Sequence, residues 1–208
     1  LKAITGEIAT QAKISLFDTP RTRWPAQQLA QRLVVLPQSS TLSFDFLARE
    51  VVELGRLPWR TAPAINRQRV EHCMRELDVW ELRDAPYLHL SGGERQRIHF
   101  ARVLAQLDPS QPGAMLLDEP TSALDPGHQH QTLQLAQTQA RAGHAVLIVL
   151  HDLNLASRYA DRVLLMQQGE LLADGSPRDT MTAPLLHRLY GVGPELWHHP
   201  QDGRPLVV

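Results

Sequence analysis

Leu90-Ser91-Gly92-Gly93-Glu94-Arg95-Gln96-Arg97 and, further on, Met115-Leu116-Leu117-Asp118-Glu119-Pro120 are the stretches that decide how this chain is read. In the first, Ser91 is placed to cap a helix, and Gly92 and Gly93 leave backbone N–H groups bare at the positive end of the helix dipole, an arrangement that suits phosphate. The second is an apolar run ending in two adjacent carboxylates. It reads as a buried strand that delivers Asp118 and Glu119 at its C-terminal end, where open α/β sheets place their ligands. Neighbouring residues of a strand point to opposite sides, so one carboxylate can hold a metal while the other addresses a water.

The rest of the chain is compatible with one enzyme-sized core. Its 208 residues are 43% hydrophobic and 21% charged, enough for one substantial core and a subdomain in a soluble globular protein. A formal net charge of -1 leaves no basic footprint, so nothing in the charge balance argues for a nucleic-acid partner or for an anionic membrane surface. The single cysteine, Cys73, cannot form an internal disulfide; it fits a reducing compartment and reads as a small core residue. No apolar run approaches the roughly 18 to 20 residues that span a bilayer, and no secretory pattern opens the chain. A membrane role would therefore be borrowed from a partner.

Working outward, Ile14-Ser15-Leu16-Phe17 is a short strand candidate, and residues 25–31 form a helix with Pro25 near its first turn. Leu33-Val34-Val35-Leu36 is a core strand stopped by Pro37. From residue 43 to residue 88 the pattern turns helical: Leu47, Val51 and Leu54 share a face with Gly55 as the stop, and residues 65–77 form a second helix. The helix opened by the glycine stretch runs from Ser91 to about Gln106, buries Ile98, Ala101, Val103 and Leu104, and leaves Glu94, Arg95 and Arg97 on a solvated face. Ala145-Val146-Leu147-Ile148-Val149-Leu150 is the next buried strand, with His151 at its end. Arg162-Val163-Leu164-Leu165-Met166 and Gly169-Glu170-Leu171-Leu172-Ala173-Asp174-Gly175 read as a hairpin that closes the sheet. The remaining tail reads as helix followed by an irregular end. His128, His130, His198 and His199 lack a ligand constellation and read as surface residues.

LSGGERQR at 90–97, LLDEPTSALD at 116–125 and VLHD at 149–152 together resemble the ATP-binding subunits of ABC transporters, with signature loop, Walker B, D-loop and switch histidine in order. The resemblance implies an α/β, P-loop NTPase-like domain over residues 1–208, with a mainly parallel sheet and an inserted helical subdomain at 43–88. It implies ATP and Mg²⁺ as cofactors. By the same resemblance, Asp118 orients the metal, Glu119 is the general base for the attacking water, and Gln38 is the mobile-loop glutamine that senses both. His151 contacts the γ-phosphate. Ser91, Gly92 and Gly93 close over the nucleotide of a second copy in a head-to-tail dimer, and Asp125 lies along the dimer seam. The implied partners are transmembrane permease subunits and, indirectly, a periplasmic substrate-binding protein. The implied place is the cytoplasmic face of a bacterial inner membrane, with residues around 39–59 as the docking surface. Trp59 is either an exposed anchor there or the cap of a satellite core.

No G-x-x-x-x-G-K-[ST] occurs in the chain, and Leu1-Lys2-Ala3-Ile4-Thr5-Gly6 resembles the helix that directly follows that loop in the family. Lys2 does not replace the loop's lysine, because no glycine loop precedes it. The expectation is that the opening strands, an adenine-stacking aromatic and the phosphate loop lie upstream, and that residues 1–208 alone are inactive. Leu36-Pro37-Gln38-Ser39-Ser40, His151-Asp152-Leu153-Asn154-Leu155-Ala156 and Tyr159-Ala160-Asp161-Arg162 are similar to the iron-siderophore, haem and cobalamin import group. The loop at 107–113, the run at 125–129 and the ending at 199–205 resemble most its hemin-import branch. Siderophore or cobalamin import is the alternative cargo. A non-catalytic binding subunit, or a soluble ABC ATPase acting on nucleic acid or ribosomes, is the alternative class.

Overall fold

The computed structural model describes every residue except Ser39, Ser40, Thr41, Ser43, Val192 and Pro194. The expectations placed on Ser39, Ser40 and Ser43 therefore lie outside the described residues. The chain forms two compact units, Leu1–Val149 and Leu150–Val208.

In the first unit the elements run α1 (Lys2–Thr5), β1 (Ser15–Leu16), β2 (Thr19–Pro20), α2 (Ala26–Arg32), β3 (Leu33–Leu36), α3 (Ala48–Glu53), α4 (Pro63–Glu76), α5 (Gly92–Gln106), β4 (Ala114–Asp118), α6 (Pro126–Arg141) and β5 (Ala145–Val149). Strands β3, β4 and β5 form a parallel sheet in that order, with Leu36 opposite Leu117 and Asp118 opposite Val149. The two-residue period of a strand sorts the side chains cleanly. Val34, Leu36, Met115 and Leu117 are buried with α3, α4 and α5, partly through Val51, Met74, Phe100 and Leu104. Leu33, Ala114 and Leu116 face the other way, against Ile4, Leu16 and Leu29. Residues 48–105 thus pack directly on the sheet and share one core with it. Cys73 is buried there as expected, and burial pushes its thiol up to about 11.

Several boundaries differ from the sequence reading. The strand expected at 14–17 is shorter, Ser15–Leu16, and folds back on Thr19–Pro20 through Phe17 and Asp18, both at positive φ. Gly55 does not stop α3 in a left-handed turn. It lies in a 3-10 turn, and a Cβ there would come within 2.3 Å of the Arg102 carbonyl of α5, so its role is close approach of backbones. Strand β5 is not fully buried: Ala145 and Val149 are exposed, and Val146, Leu147 and Ile148 are half-buried. It is the edge of the described sheet, with β4 on one side only.

The second unit contains α7 (Leu153–Tyr159), β6 (Val163–Gln167), β7 (Glu170–Gly175), α8 (Pro177–Thr180), α9 (Ala183–Tyr190), β8 (Leu196–His198) and β9 (Pro205–Val207). The hairpin β6–β7 forms through Gln168 and Gly169, both at positive φ, as a two-residue loop between twisted strands requires. Contrary to expectation it does not close the parallel sheet; among the described residues each of its strands pairs only with the other. Nor is the tail irregular, since β8 and β9 pair antiparallel with Trp197 opposite Leu206. Val163, Leu165, Met181 and Leu186 make this unit's core. Among the described residues, no helix is long and apolar enough to cross a membrane.

Candidate functional site

At the C-terminal end of the parallel sheet the apolar strand β4 stops at Asp118, which is half-buried. Glu119 leaves the strand with φ +50°, a left-handed conformation that costs a non-glycine residue on the order of 1 kcal/mol or more. The alternation argument for adjacent carboxylates therefore does not set Glu119's direction; the kink does. That kink is held from several sides. The Glu119 N–H donates to the Val149 carbonyl at 3.1 Å, and the Glu119 carbonyl accepts from Ser122 N–H at 3.3 Å, from Ser122 Oγ at 3.2 Å and from Gln96 Nε2 at 3.4 Å. The side chain meets Gln38, whose Nε2 donates to Glu119 Oε1 at 2.8 Å. Gln38 follows β3 directly after Pro37, so two neighbouring parallel strands deliver the two members of this pair.

The glycine stretch folds as its composition dictates. Ser91 is the N-cap of α5 and closes a capping box: Ser91 Oγ accepts from Glu94 N–H at 3.3 Å, while Glu94 Oε2 accepts from Ser91 N–H at 2.7 Å. The Ser91 contacts hold the Glu94 carboxyl below its ordinary value. Ser91 and Gly92 are exposed, and Gly93 lies against the loop after β4: a Cβ on it would be 3.0 Å from the Ala123 carbonyl. Signature glycines, Glu119 and the 121–125 loop are thus neighbours within one unit, joined by Gln96. Asp125 ends that loop as the N-cap of α6 and is exposed.

His151 is the second residue of the second unit. It is exposed and directly precedes Asp152, whose Oδ1 caps α7 by accepting from Leu155 N–H at 2.9 Å. Trp59 is half-buried, with Nε1 donating to the Gln106 carbonyl at 2.9 Å and the Arg56 guanidinium 5.0 Å from its ring centre. Trp59 is thus tied to the end of α5 and to Arg56, and Leu57, two residues earlier, is exposed.

Reasoning from the sequence missed three polar contributors. Gln96 holds the Glu119 carbonyl, Gln129 Nε2 reaches the Thr121 carbonyl at 3.3 Å, and Arg97 does not lie on a purely solvated face but donates to His128 Nε2 at 2.8 Å. His128 is correspondingly no plain surface residue. The available signal was its position three residues after Asp125, where a helix N-cap receives its hydrogen bond.

Oxygen donors dominate the sheet end. Gln38 turns its amide nitrogen to Glu119, so its amide oxygen is the atom it can offer a cation, and Asp118 offers a carboxylate; both suit a hard ion such as Mg²⁺. No group of three or more His, Cys, Asp or Glu side chains among the described residues could cage a metal. This donor set fits an ion that keeps most of its water and binds partly to substrate oxygens.

Comparison with known proteins follows the same line. Residues 1–122 match the ABC transporter family. The chain is 50% identical over 218 residues to the Hemin import ATP-binding protein HmuV of Plesiomonas shigelloides, covering 98% of this chain and 83% of that protein. To the protein of the same name from Pseudomonas putida it is 47% identical over 210 residues, covering 100% and 82%. Among solved structures, an ATP binding subunit of an ABC transporter superposes with a TM-score of 0.74 at 22% identity, over 92% of this chain and 76% of that one. The cbiO1 protein of Clostridium perfringens, part of the ABC transporter complex cbiONQ, gives 0.71 at 23% identity over 90% and 75%. These two likenesses carry the fold: a P-loop, ABC-type ATPase architecture around a parallel sheet. With the profile match and the near-full-length identity, the chain belongs to the ABC transporter family, as one of its ATPases.

Proposed function

We propose that the chain is the ATP-hydrolysing subunit of a bacterial hemin importer, seated on the cytoplasmic face of the inner membrane beneath permease subunits that receive cargo from a periplasmic binding protein. The observation that carries the reading is the Glu119–Gln38 pair at the end of the parallel sheet, with Glu119 held in a strained, multiply anchored turn. Backbone strain that the surroundings enforce is a mark of functional positions. Cargo comes from the relatives, which are hemin import proteins by name.

In this reading Asp118 and the Gln38 amide oxygen would hold Mg²⁺, which would neutralise charge on the phosphates. Glu119 accepts the proton of the attacking water. Gln38 fixes Glu119 through its Nε2 contact and, at the end of a loop, reports whether the site is filled. His151 donates toward the γ-phosphate. Ser91 and the N–H groups of Gly92 and Gly93, at the positive end of the 15-residue helix α5, close over nucleotide held by a second copy in a head-to-tail dimer, with Asp125 along the seam. Residues 43–88 act as the helical subdomain that passes closure of the dimer to the permease.

Cargo is tested by reconstituting the full-length protein with its permease and binding protein in liposomes. ATP-dependent accumulation of hemin, with none of ferric siderophore or cobalamin, is expected. Accumulation of a siderophore or cobalamin without hemin would overturn the cargo while leaving the importer reading standing.

A further inference from the structure

Three segments far apart in sequence meet at His128. From α5, Arg97 Nη1 donates to the Leu77 and Asp78 carbonyls, each at 3.2 Å, in the turn that ends α4, and to His128 Nε2 at 2.8 Å. On its other side His128 Nδ1 lies 2.5 Å from Asp125 Oδ2, while Asp125 Oδ1 accepts the His128 backbone N–H at 3.1 Å. Gln131 adds a second tie, donating to the Glu76 carbonyl and to Asp78 Oδ2, both at 2.9 Å.

Hydrogen-bond chemistry fixes the state of the ring. A guanidinium has donors only, so Nε2 must accept; an ionised carboxylate accepts only, so Nδ1–H must donate. His128 is therefore neutral, with its proton on Nδ1. It joins a cation on α5 to an anion at the start of α6. The Asp125 carboxyl is held below its ordinary value first by the His128 side chain and then by the His128 backbone N–H, so it is ionised throughout the neutral range.

We infer that His128 is a positioning residue that transmits the placement of α5 and of the turn ending α4 to the Asp125 carboxylate, and so to the 121–125 loop beside Gly92 and Gly93. This rests on the function proposed above, in which that loop borders the second nucleotide site. The charged groups tied to the ring directly or through Arg97 and Gln131 are Arg97 on α5, Asp78 in the turn after α4, and Asp125 at the start of its own helix. Protonation would set an Nε2–H against the Arg97 guanidinium, donor against donor and charge against like charge. Arg97 would then keep only its two carbonyls, and the link from α5 to Asp125 would open. The helix cap would remain, because it uses backbone N–H.

The test uses the full-length protein assembled with its permease. The ¹⁵N shifts of the His128 ring should report a protonated Nδ1 and an accepting Nε2; the opposite tautomer overturns the inference. His128→Ala, which spares the backbone cap, should lower kcat roughly tenfold with little change in KM for ATP, and Arg97→Ala in the same background should add little further. His128→Gln, which keeps a donor and an acceptor, should restore most of kcat. Glu119→Gln is the control. If it abolishes turnover while His128→Ala matches the wild type in kcat, the inference alone is overturned. If the wild-type assembly does not hydrolyse ATP, the proposed function falls and the inference with it.

Discussion

His144 Nδ1 accepts the Gly113 N–H at 3.0 Å, in a pocket where the ring is buried. The neutral form is the one that fits, and burial is the first cause holding its pKa below the ordinary histidine value, with Asp108 working weakly against it. Between the depressed native value and the unfolded value near about 6.5, the unfolded chain binds more protons than the native one. Stability from this group is thus complete above about pH 6.5 and is lost as pH falls through that window. Denaturant unfolding of the wild type should show this acid loss, and His144→Asn, which keeps an acceptor but no titration, should flatten it. His144→Ala should cost about 1 to 3 kcal/mol at neutral pH by orphaning the Gly113 N–H. Identical pH slopes for the wild type and His144→Asn would contradict the argument. Single residues were unevenly legible in the sequence. Ser91 announced its cap, because capping is local. His128 did not announce its partner, because Arg97 stands 31 residues upstream and only the tertiary fold brings the two side chains together.

Helix α7 has only seven residues, too few to be stable by propensity alone, yet it follows His151 and sets its footing. Its support comes from strand β9 and the residues before it. Asn154 pairs with Val207 like a strand neighbour, donating Nδ2 to the carbonyl at 3.0 Å and accepting the N–H on Oδ1 at 2.8 Å. Buried Ser157 donates Oγ to the Pro205 carbonyl at 2.7 Å, and Arg204 Nη1 reaches the carbonyls of Ser157, Arg158 and Ala160 at the helix's negative end. Arg204→Ala should therefore speed amide hydrogen exchange across residues 153–160 and cost on the order of 1 to 2 kcal/mol, leaving the β6–β7 amides unchanged. Unchanged exchange in α7 would show that the staple does not hold it. This hairpin was illegible in advance, since Leu196-Trp197-His198 and Pro205-Leu206-Val207 are too short to show alternation and are fastened by side chains rather than by a pattern. The edge position of β5 was illegible for a related reason: an apolar run says that a strand can be buried, not how many neighbours it has.

At the scale of the whole molecule, order of motifs was the strongest signal. Apolar runs placed β3 and β4, the capping residues placed α5, and the strand-end position of Asp118 and Glu119 was read from the residues, whereas the parallel sheet and the place of Gln38 beside them came only from the family resemblance. What the pattern could not supply was the left-handed turn at Glu119, a property of backbone held by Val149, Ser122 and Gln96 from separate segments. That turn is the centre of the account, because it converts a strand-end carboxylate into one paired with Gln38. The decisive measurement is steady-state ATP hydrolysis and ATP binding by the full-length protein in complex with its permease, wild type against Glu119→Gln. The account predicts that turnover falls by at least about 10²-fold while ATP is still bound, the loss expected for removal of a general base. Turnover equal to that of the wild type would remove Glu119 from the chemistry and contradict the site as drawn.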